Sequence, residues 1–165
     1  MDSRVVDRYR EVHATQGVSD VALGYRTVVI ARPEGLDDAQ IGYSRAPDGA
    51  DLTGPDDGAW DRSWVVVGYE DQCGDPVFID TALWDWPVYT AMHGEGTWDP
   101  SQIAVSFESF LSALARVRKA SAGRETPVAL ENNPLSDSER SDLLASIAAA
   151  NPGCELAFWE SWLEG

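Results

Sequence analysis

The run Trp64–Tyr69 (WVVVGY) decides the fold prediction, and two further apolar runs follow it, Val77–Asp80 (VFID) and Pro87–Ala91 (PVYTA). β-branched and aromatic residues of this kind favour strands. The connecting segments, 70–76 and 81–86, are too short to contain crossover helices, so the three strands are predicted to pair as an antiparallel meander. Because the runs show little polar alternation, we expect both faces of the sheet to be largely covered.

The C-terminal third of the chain is predicted to be helical. Apolar residues recur at helical spacing over Phe107–Val117, and Ser106 stands where the hydroxyl of an N-cap belongs. Ser136 and Glu139 form a capping-box pattern that predicts the start of a second helix. The tail, residues 156–163, contains three aromatic residues and is too apolar to be left in water. We expect it to dock on the core, either as a strand or as a helix.

The first 60 residues give weaker signals. They predict a short helix that ends near Gly17, one strand within Leu23–Ala31, and an exposed, turn-rich loop over residues 44–58. Together the patterns predict an α+β fold, in which a mostly antiparallel β-sheet meander packs against helices.

Composition and charge restrict the function. The chain has 165 residues, of which 28 are acidic and 12 basic, and its formal net charge is −16. Apolar residues make up 44% and seven are tryptophan, which excludes a disordered chain. No apolar run is long enough to span a membrane and no signal peptide is visible, so we expect a soluble cytoplasmic protein. The charge would repel nucleic acids and anionic membranes, and it favours a basic protein as partner.

The sequence contains none of the common catalytic motifs. It lacks a Gly-rich phosphate loop and a Gly-x-Ser-x-Gly elbow, and only His13 and His93 could serve a nucleophile as base. Cys73 and Cys154 are interpreted as unpaired thiols, since no Cys-x-x-Cys pair prearranges a metal site. The many carboxylates indicate a solvated acidic surface, and Asp75 is interpreted as a turn residue that bonds nearby N–H groups. We therefore predict a non-enzymatic protein without a metal or cofactor.

Two tryptophans occupy a short linker between predicted strands. Trp84 and Trp86 flank Asp85, so at least one of the two rings should be exposed. An exposed aromatic side chain beside carboxylates is a common recognition patch. Trp64 and Trp98, in contrast, are expected to lie in or at the edge of the core.

An ordered set of motifs runs through residues 64–114. A strand ends in Gly68, the hairpin Cys73–Pro76 (CGDP) follows, a further strand ends in Asp80, and a helix begins at Ser106–Leu111 (SFESFL). This order resembles the SUKH superfamily, the Smi/Knr-like group of bacterial immunity and eukaryotic regulatory proteins. The resemblance implies one SUKH-like domain over residues 1–165, made of a divergent N-terminal part (1–60), a recognisable core (61–122) and a C-terminal helical extension (123–165).

The resemblance implies a protein-binding function without catalysis. Most bacterial members are immunity proteins that neutralise polymorphic toxins, often nucleases or deaminases, and a chain of charge −16 would attract such basic partners. Two alternatives stay open: a regulatory or scaffold protein without a toxin partner, and a small-ligand binder or hydrolase with a cleft lined by Trp and carboxylates. The candidate partner-binding residues are Tyr69, Glu70, Asp71, Trp84, Asp85, Trp86 and Glu95. The motif residues expected to be structural are Gly68, Gly74, Asp75, Asp80 and Ser106.

Overall fold

The computed structural model describes residues 1–56, 58–94 and 96–164. Within these ranges the strands are β1 (Val21–Leu23), β2 (Arg26–Ile30), β3 (Trp64–Glu70), β4 (Pro76–Asp80), β5 (Val88–Thr90) and β6 (Ser101–Ala104). The helices are α1 (Ser3–Gln16), α2 (Phe107–Ala120), α3 (Pro127–Asn132), α4 (Asp137–Ala150) and α5 (Ala157–Glu164). Two short 3₁₀ helices, Pro33–Gly35 and Asp38–Gln40, lie between β2 and β3.

The strands form one sheet in the order β1-β2-β3-β4-β5-β6, and every neighbouring pair is antiparallel. This confirms the predicted α+β fold with a meander sheet and extends the meander by three strands. Residues 76–79 of β4 are all buried, so both faces of the sheet are covered at its centre, as the apolar runs predict.

The strand predicted within Leu23–Ala31 is present as β2, but it begins at Arg26, and a second strand precedes it. Gly24, with a φ of +57°, and Tyr25 form a tight turn that divides the segment into the hairpin of β1 and β2. Most side chains do not favour a positive φ, whereas glycine adopts it at little cost. The apolar run alone does not reveal the hairpin of β1 and β2, because the strand before the turn is only three residues long. Strand β6 was not predicted from the sequence.

The main hydrophobic core lies between one face of the sheet and the helices. Tyr9 of α1 stacks on Phe107 of α2 with ring centroids 5.1 Å apart, and its hydroxyl donates to the carbonyl of Ala31. The tail docks on this core as helix α5. Its buried Trp159 donates from Nε1 to the Ile103 carbonyl at 3.0 Å, and Trp162 is buried beside it. The core therefore joins residues from α1 to α5.

The helix starts follow the sequence signals. The Ser106 hydroxyl accepts from the backbone N–H of Ser109 at 3.0 Å, and Ser136 and Glu139 form the expected capping box. Helix α1 ends at Gln16, directly before Gly17, whose φ is +56°. None of the described helices combines the length and apolar character that crossing a bilayer requires.

The other face of the sheet, called here the outer face, carries a smaller aromatic cluster. Trp60, Val66 and Phe78 are buried there, and Trp64 and Trp98 are partly buried around them, as expected for these two tryptophans. Gln40 attaches the second 3₁₀ helix to β3, because its side-chain amide donates to the Val66 carbonyl at 2.8 Å and accepts from the Val66 N–H at 3.0 Å. Of the predicted 44–58 loop, residues 47–52 are exposed, and Asp57 lies outside the described residues.

Candidate functional site

The candidate partner-binding residues fall at two separate places. Tyr69 and Glu70 end β3 and Asp71 follows it, whereas residues 84–86 lie in the loop between β4 and β5. Glu95 lies outside the described residues.

Glu70 points into the molecule and organises the β3–β4 hairpin. The side chain is 4% exposed, and its carboxylate accepts backbone N–H groups from Gln72 at 3.2 Å, Cys73 at 2.6 Å and Asp75 at 3.3 Å. The Arg26 guanidinium lies 3.4 Å from it as an ion-pair partner. A carboxylate in this position cannot contact a partner, so Glu70 is removed from the proposed contact surface. Asp71 stays exposed while accepting the Thr27 N–H at 2.6 Å.

Asp75 does not hold the hairpin in the way that the sequence suggests. Its carboxylate accepts the backbone N–H of His93 at 2.8 Å and so connects the hairpin to the segment after β5. Glu70 performs the turn-bonding role that the sequence analysis gave to Asp75. Gly74, with a φ of +77°, allows the tight turn between them.

A metal site at this hairpin is not favoured. Ligand atoms of Glu70, Cys73 and Asp75 lie within 4.8 Å of one another. The Glu70 carboxylate is already used by three N–H donors and an arginine, which leaves little capacity for an ion. The thiols of Cys73 and Cys154 are unpaired, and burial raises the pKa of Cys154, which makes its thiol less reactive at neutral pH.

The Trp84–Trp86 loop presents one tryptophan and buries the other. Trp84 is 85% exposed, as expected for at least one of the pair, whereas Trp86 is 4% exposed and belongs to the main core. Trp86 has a φ of +54°, a backbone conformation that costs a non-glycine residue about 1–3 kcal/mol. Asp80 begins the loop by accepting the N–H of Ala82 at 2.9 Å. Trp86 is therefore a support for the loop, and the exposed contact surface here consists of Trp84 and Asp85.

An arginine from α1 lies against this loop. The guanidinium carbon of Arg8 is 4.2 Å from the centroid of the Trp86 ring and 5.5 Å from that of Trp84, which are cation–π distances. Arg8 was not predicted from the sequence, because nothing local in residues 1–16 connects it to a loop 76 residues later. The charge pattern of the predicted helix does not indicate this contact either.

A groove opens on the outer face over β2 and β3, with a volume of about 650 Å³. Val29 and Tyr69 are cross-strand partners, so their side chains share this face. Gly68 of β3 also lines the groove. We call this feature the sheet groove and define it by Val29, Ala31, Val66, Gly68, Tyr69 and Tyr43.

The surroundings of the sheet groove are mostly acidic. Asp20 and Glu34 line it together with one cation, Arg32. Burial raises the pKa of Tyr43, and the nearby Asp75 carboxylate adds to this effect, so Tyr43 stays a neutral phenol at neutral pH. The groove thus combines an apolar floor, two tyrosines and a rim that favours positive charge.

Comparisons with known proteins add no assignment. No family model matches the chain, and no curated protein or solved structure matches it either. The resemblance to the SUKH superfamily therefore stays a prediction from the motifs.

Proposed function

We propose that this protein is a non-enzymatic domain that binds a basic protein, and that the partner docks on the sheet groove. The observation that carries the proposal is the exposed Tyr69 above an apolar floor with acidic residues at its rim. Tyrosine is among the residues that contribute most to protein interfaces, because its rigid ring buries a large area while its hydroxyl can still hydrogen-bond.

Charge supports a basic partner. The chain carries −16, and Asp20 and Glu34 outnumber Arg32 among the charged residues that line the groove. Such a field accelerates the approach of a positively charged protein and repels an acidic one. An apolar floor then gives a lysine or arginine stem, or a neighbouring apolar side chain, a surface to bury.

The motif resemblance suggests the form that this function takes. An immunity protein neutralises a toxin by binding it, and nucleic-acid-degrading toxins are basic because they must hold phosphates. We therefore propose toxin neutralisation as the specific role, with a regulatory or scaffold partner as the alternative.

Affinity capture from the native lysate tests the proposal with three baits: the unchanged protein, Tyr69→Ala and Tyr25→Ala. Tyr25 is a matched control, since it is 52% exposed, similar to the 45% of Tyr69, but does not line the groove. We expect one basic protein to be retained by the unchanged and Tyr25→Ala baits and released by high salt. Tyr69→Ala should weaken its binding by roughly 30-fold or more, the effect of losing an interface hot spot.

Retention of the same partner by Tyr69→Ala with unchanged affinity would remove the sheet groove from the proposal. Expression of the captured protein then separates the two roles. A toxin should stop growth when expressed alone and should be harmless together with the unchanged domain but not with Tyr69→Ala. A regulatory partner should leave growth unaffected in every combination.

A further inference from the structure

A second cavity, of about 750 Å³, lies between the start of α1, the segment 37–53 and the Trp84–Trp86 loop. Four arginines line it, a third of the chain's 12 basic side chains: Arg4, Arg8, Arg45 and Arg62. Asp2, Asp37 and Asp51 line it too, so the cavity holds one more cationic than anionic side chain in a protein of charge −16. We call it the arginine cleft.

Three of these arginines already have carboxylate partners. Arg4 pairs with Asp2 at 2.7 Å, Arg45 pairs with Asp37 at 2.8 Å, and Arg62 lies 3.9 Å from Asp51. These pairs neutralise much of the charge at the sides of the cleft. Arg45 is held by a second bond as well, since its guanidinium also donates to the backbone carbonyl of Asp37 at 2.9 Å.

Arg8 differs from the other three. Among residues 1–56, 58–94 and 96–164, no carboxylate lies within ion-pair distance of its guanidinium, and no protein acceptor bonds it. Its position is nevertheless fixed, since it lies 4.2 Å from the centroid of the buried Trp86 ring. An arginine held by an aromatic face keeps its in-plane N–H donors available, and their planar fork matches a carboxylate or a phosphate.

Trp84 adds a flat apolar surface beside this charge. Its ring is 85% exposed, borders the cleft, and lies 5.5 Å from the Arg8 guanidinium carbon. Leaving so large an apolar ring in water is unfavourable, and a ring that stacks on it would recover that free energy. Arg8 and Trp84 also line a separate cavity, where the carboxylates of Asp85 and Glu108 disfavour an anion.

We propose that the arginine cleft binds a small organic anion, in which a phosphate or carboxylate pairs with Arg8 and a flat ring stacks on Trp84. The net charge makes the proposal specific, because a chain of −16 repels anions everywhere except where cations are concentrated. The site is distinct from the sheet groove, and neither Arg8 nor Trp84 lines that groove.

Isothermal titration calorimetry at constant ionic strength tests the cleft with three probes: inorganic phosphate, citrate and adenosine 5′-monophosphate. The monophosphate carries both an oxyanion and a flat ring, so it should bind most tightly and with saturation. Saturable binding of citrate without the monophosphate would assign the cleft to carboxylates, and the reverse would assign it to phosphates.

Arg8→Gln should weaken binding of the monophosphate by about tenfold to a hundredfold, the effect of losing charged hydrogen bonds. Trp84→Ala should weaken the monophosphate but leave inorganic phosphate unchanged. Arg10→Gln is the matched control, since Arg10 lies on the same helix, pairs with Asp7 and does not line the cleft. Unfolding midpoints of all variants show that each is folded.

Two results would overturn the proposal: no saturable binding of any probe at millimolar concentration, or equal affinities of the Arg8→Gln and Arg10→Gln variants. The Tyr69→Ala variant separates this test from the proposed function, because it should lose the protein partner and keep the anion.

Discussion

Replacing Glu70 by alanine should destabilise the protein far more than replacing its neighbour Asp71. The two carboxylates are adjacent in sequence but differ in surroundings. Glu70 is buried, accepts three backbone N–H groups and pairs with Arg26, whereas Asp71 is exposed and accepts one N–H from Thr27.

The magnitude follows from the groups that Glu70→Ala would leave without a partner. Removing one member of a buried ion pair costs about 3–5 kcal/mol, and each orphaned buried donor adds to the penalty unless water reaches it. The three N–H groups are only partly buried, so we take the lower end, about 3 kcal/mol. For a domain of this size each kcal/mol lowers the melting temperature by about 2–4 °C, which gives a decrease of about 6–12 °C. In the Asp71→Ala variant, water can accept the Thr27 N–H in place of the exposed carboxylate, so this substitution should lower the melting temperature much less.

Circular dichroism measures the melting temperature of both variants, and a separate urea titration measures their free energy of unfolding. Chemical unfolding should give a reduced free energy of unfolding for Glu70→Ala with an unchanged dependence on denaturant, since the folded core is the same. Equal decreases for the two variants would refute the reasoning, because the burial and the three donors of Glu70 would then contribute nothing.

Two further predictions concern the helices. Ser106→Ala removes the hydroxyl that caps α2 and should lower the free energy of unfolding by about 1 kcal/mol; an unchanged midpoint in urea would show that the cap contributes no stability. Burial lowers the pKa of His13 in the folded state below its ordinary value of 6.5, and within the described residues its buried Nε2 has no hydrogen-bond partner. Below pH 6.5 the unfolded chain therefore binds more protons, so stability is lost as the pH falls from neutrality through this window. His13→Gln should flatten that decrease, and an equally steep decrease in this variant would show that His13 does not cause it.

The parts of the fold that were predictable depend on local patterns. The meander follows from three apolar runs with short linkers, and the capped helices α2 and α4 follow from a Ser at each N-cap and, in α2, an apolar stripe. Each signal lies within a few residues of the structure that it specifies. The hairpin of β1 and β2 was missed for the same reason, since a three-residue strand is too short to show a period.

The candidate sites depend on contacts between distant residues. Arg8 meets Trp86 across 78 positions, and Tyr43 joins Tyr69 in the sheet groove from a segment for which the sequence predicts no element. The sequence predicts that at least one of Trp84 and Trp86 is exposed, because they flank an aspartate in a short linker, but it does not indicate which one. It could not show that an arginine from α1 would lie against them.

One irregularity in β3 explains why Tyr69 is available and Glu70 is not. Strict alternation from the buried Val65 and Val67 would place Tyr69 inside and Glu70 outside. Between Val66 and Gly68, however, β3 advances two residues while β4 advances one, from Phe78 to Val77, which is the arrangement of a β-bulge. The bulge exchanges the faces, so Tyr69 reaches the groove and Glu70 reaches the hairpin.

Gly68 permits this bulge because of its contacts and not because of its backbone angle. A Cβ at this position would press against the carbonyl oxygen of Val29 in β2, and a backbone atom in a paired strand cannot move aside cheaply. The close approach of β2 and β3 therefore requires glycine. A single residue thus permits the bulge that places Tyr69 in the groove and Glu70 in the hairpin.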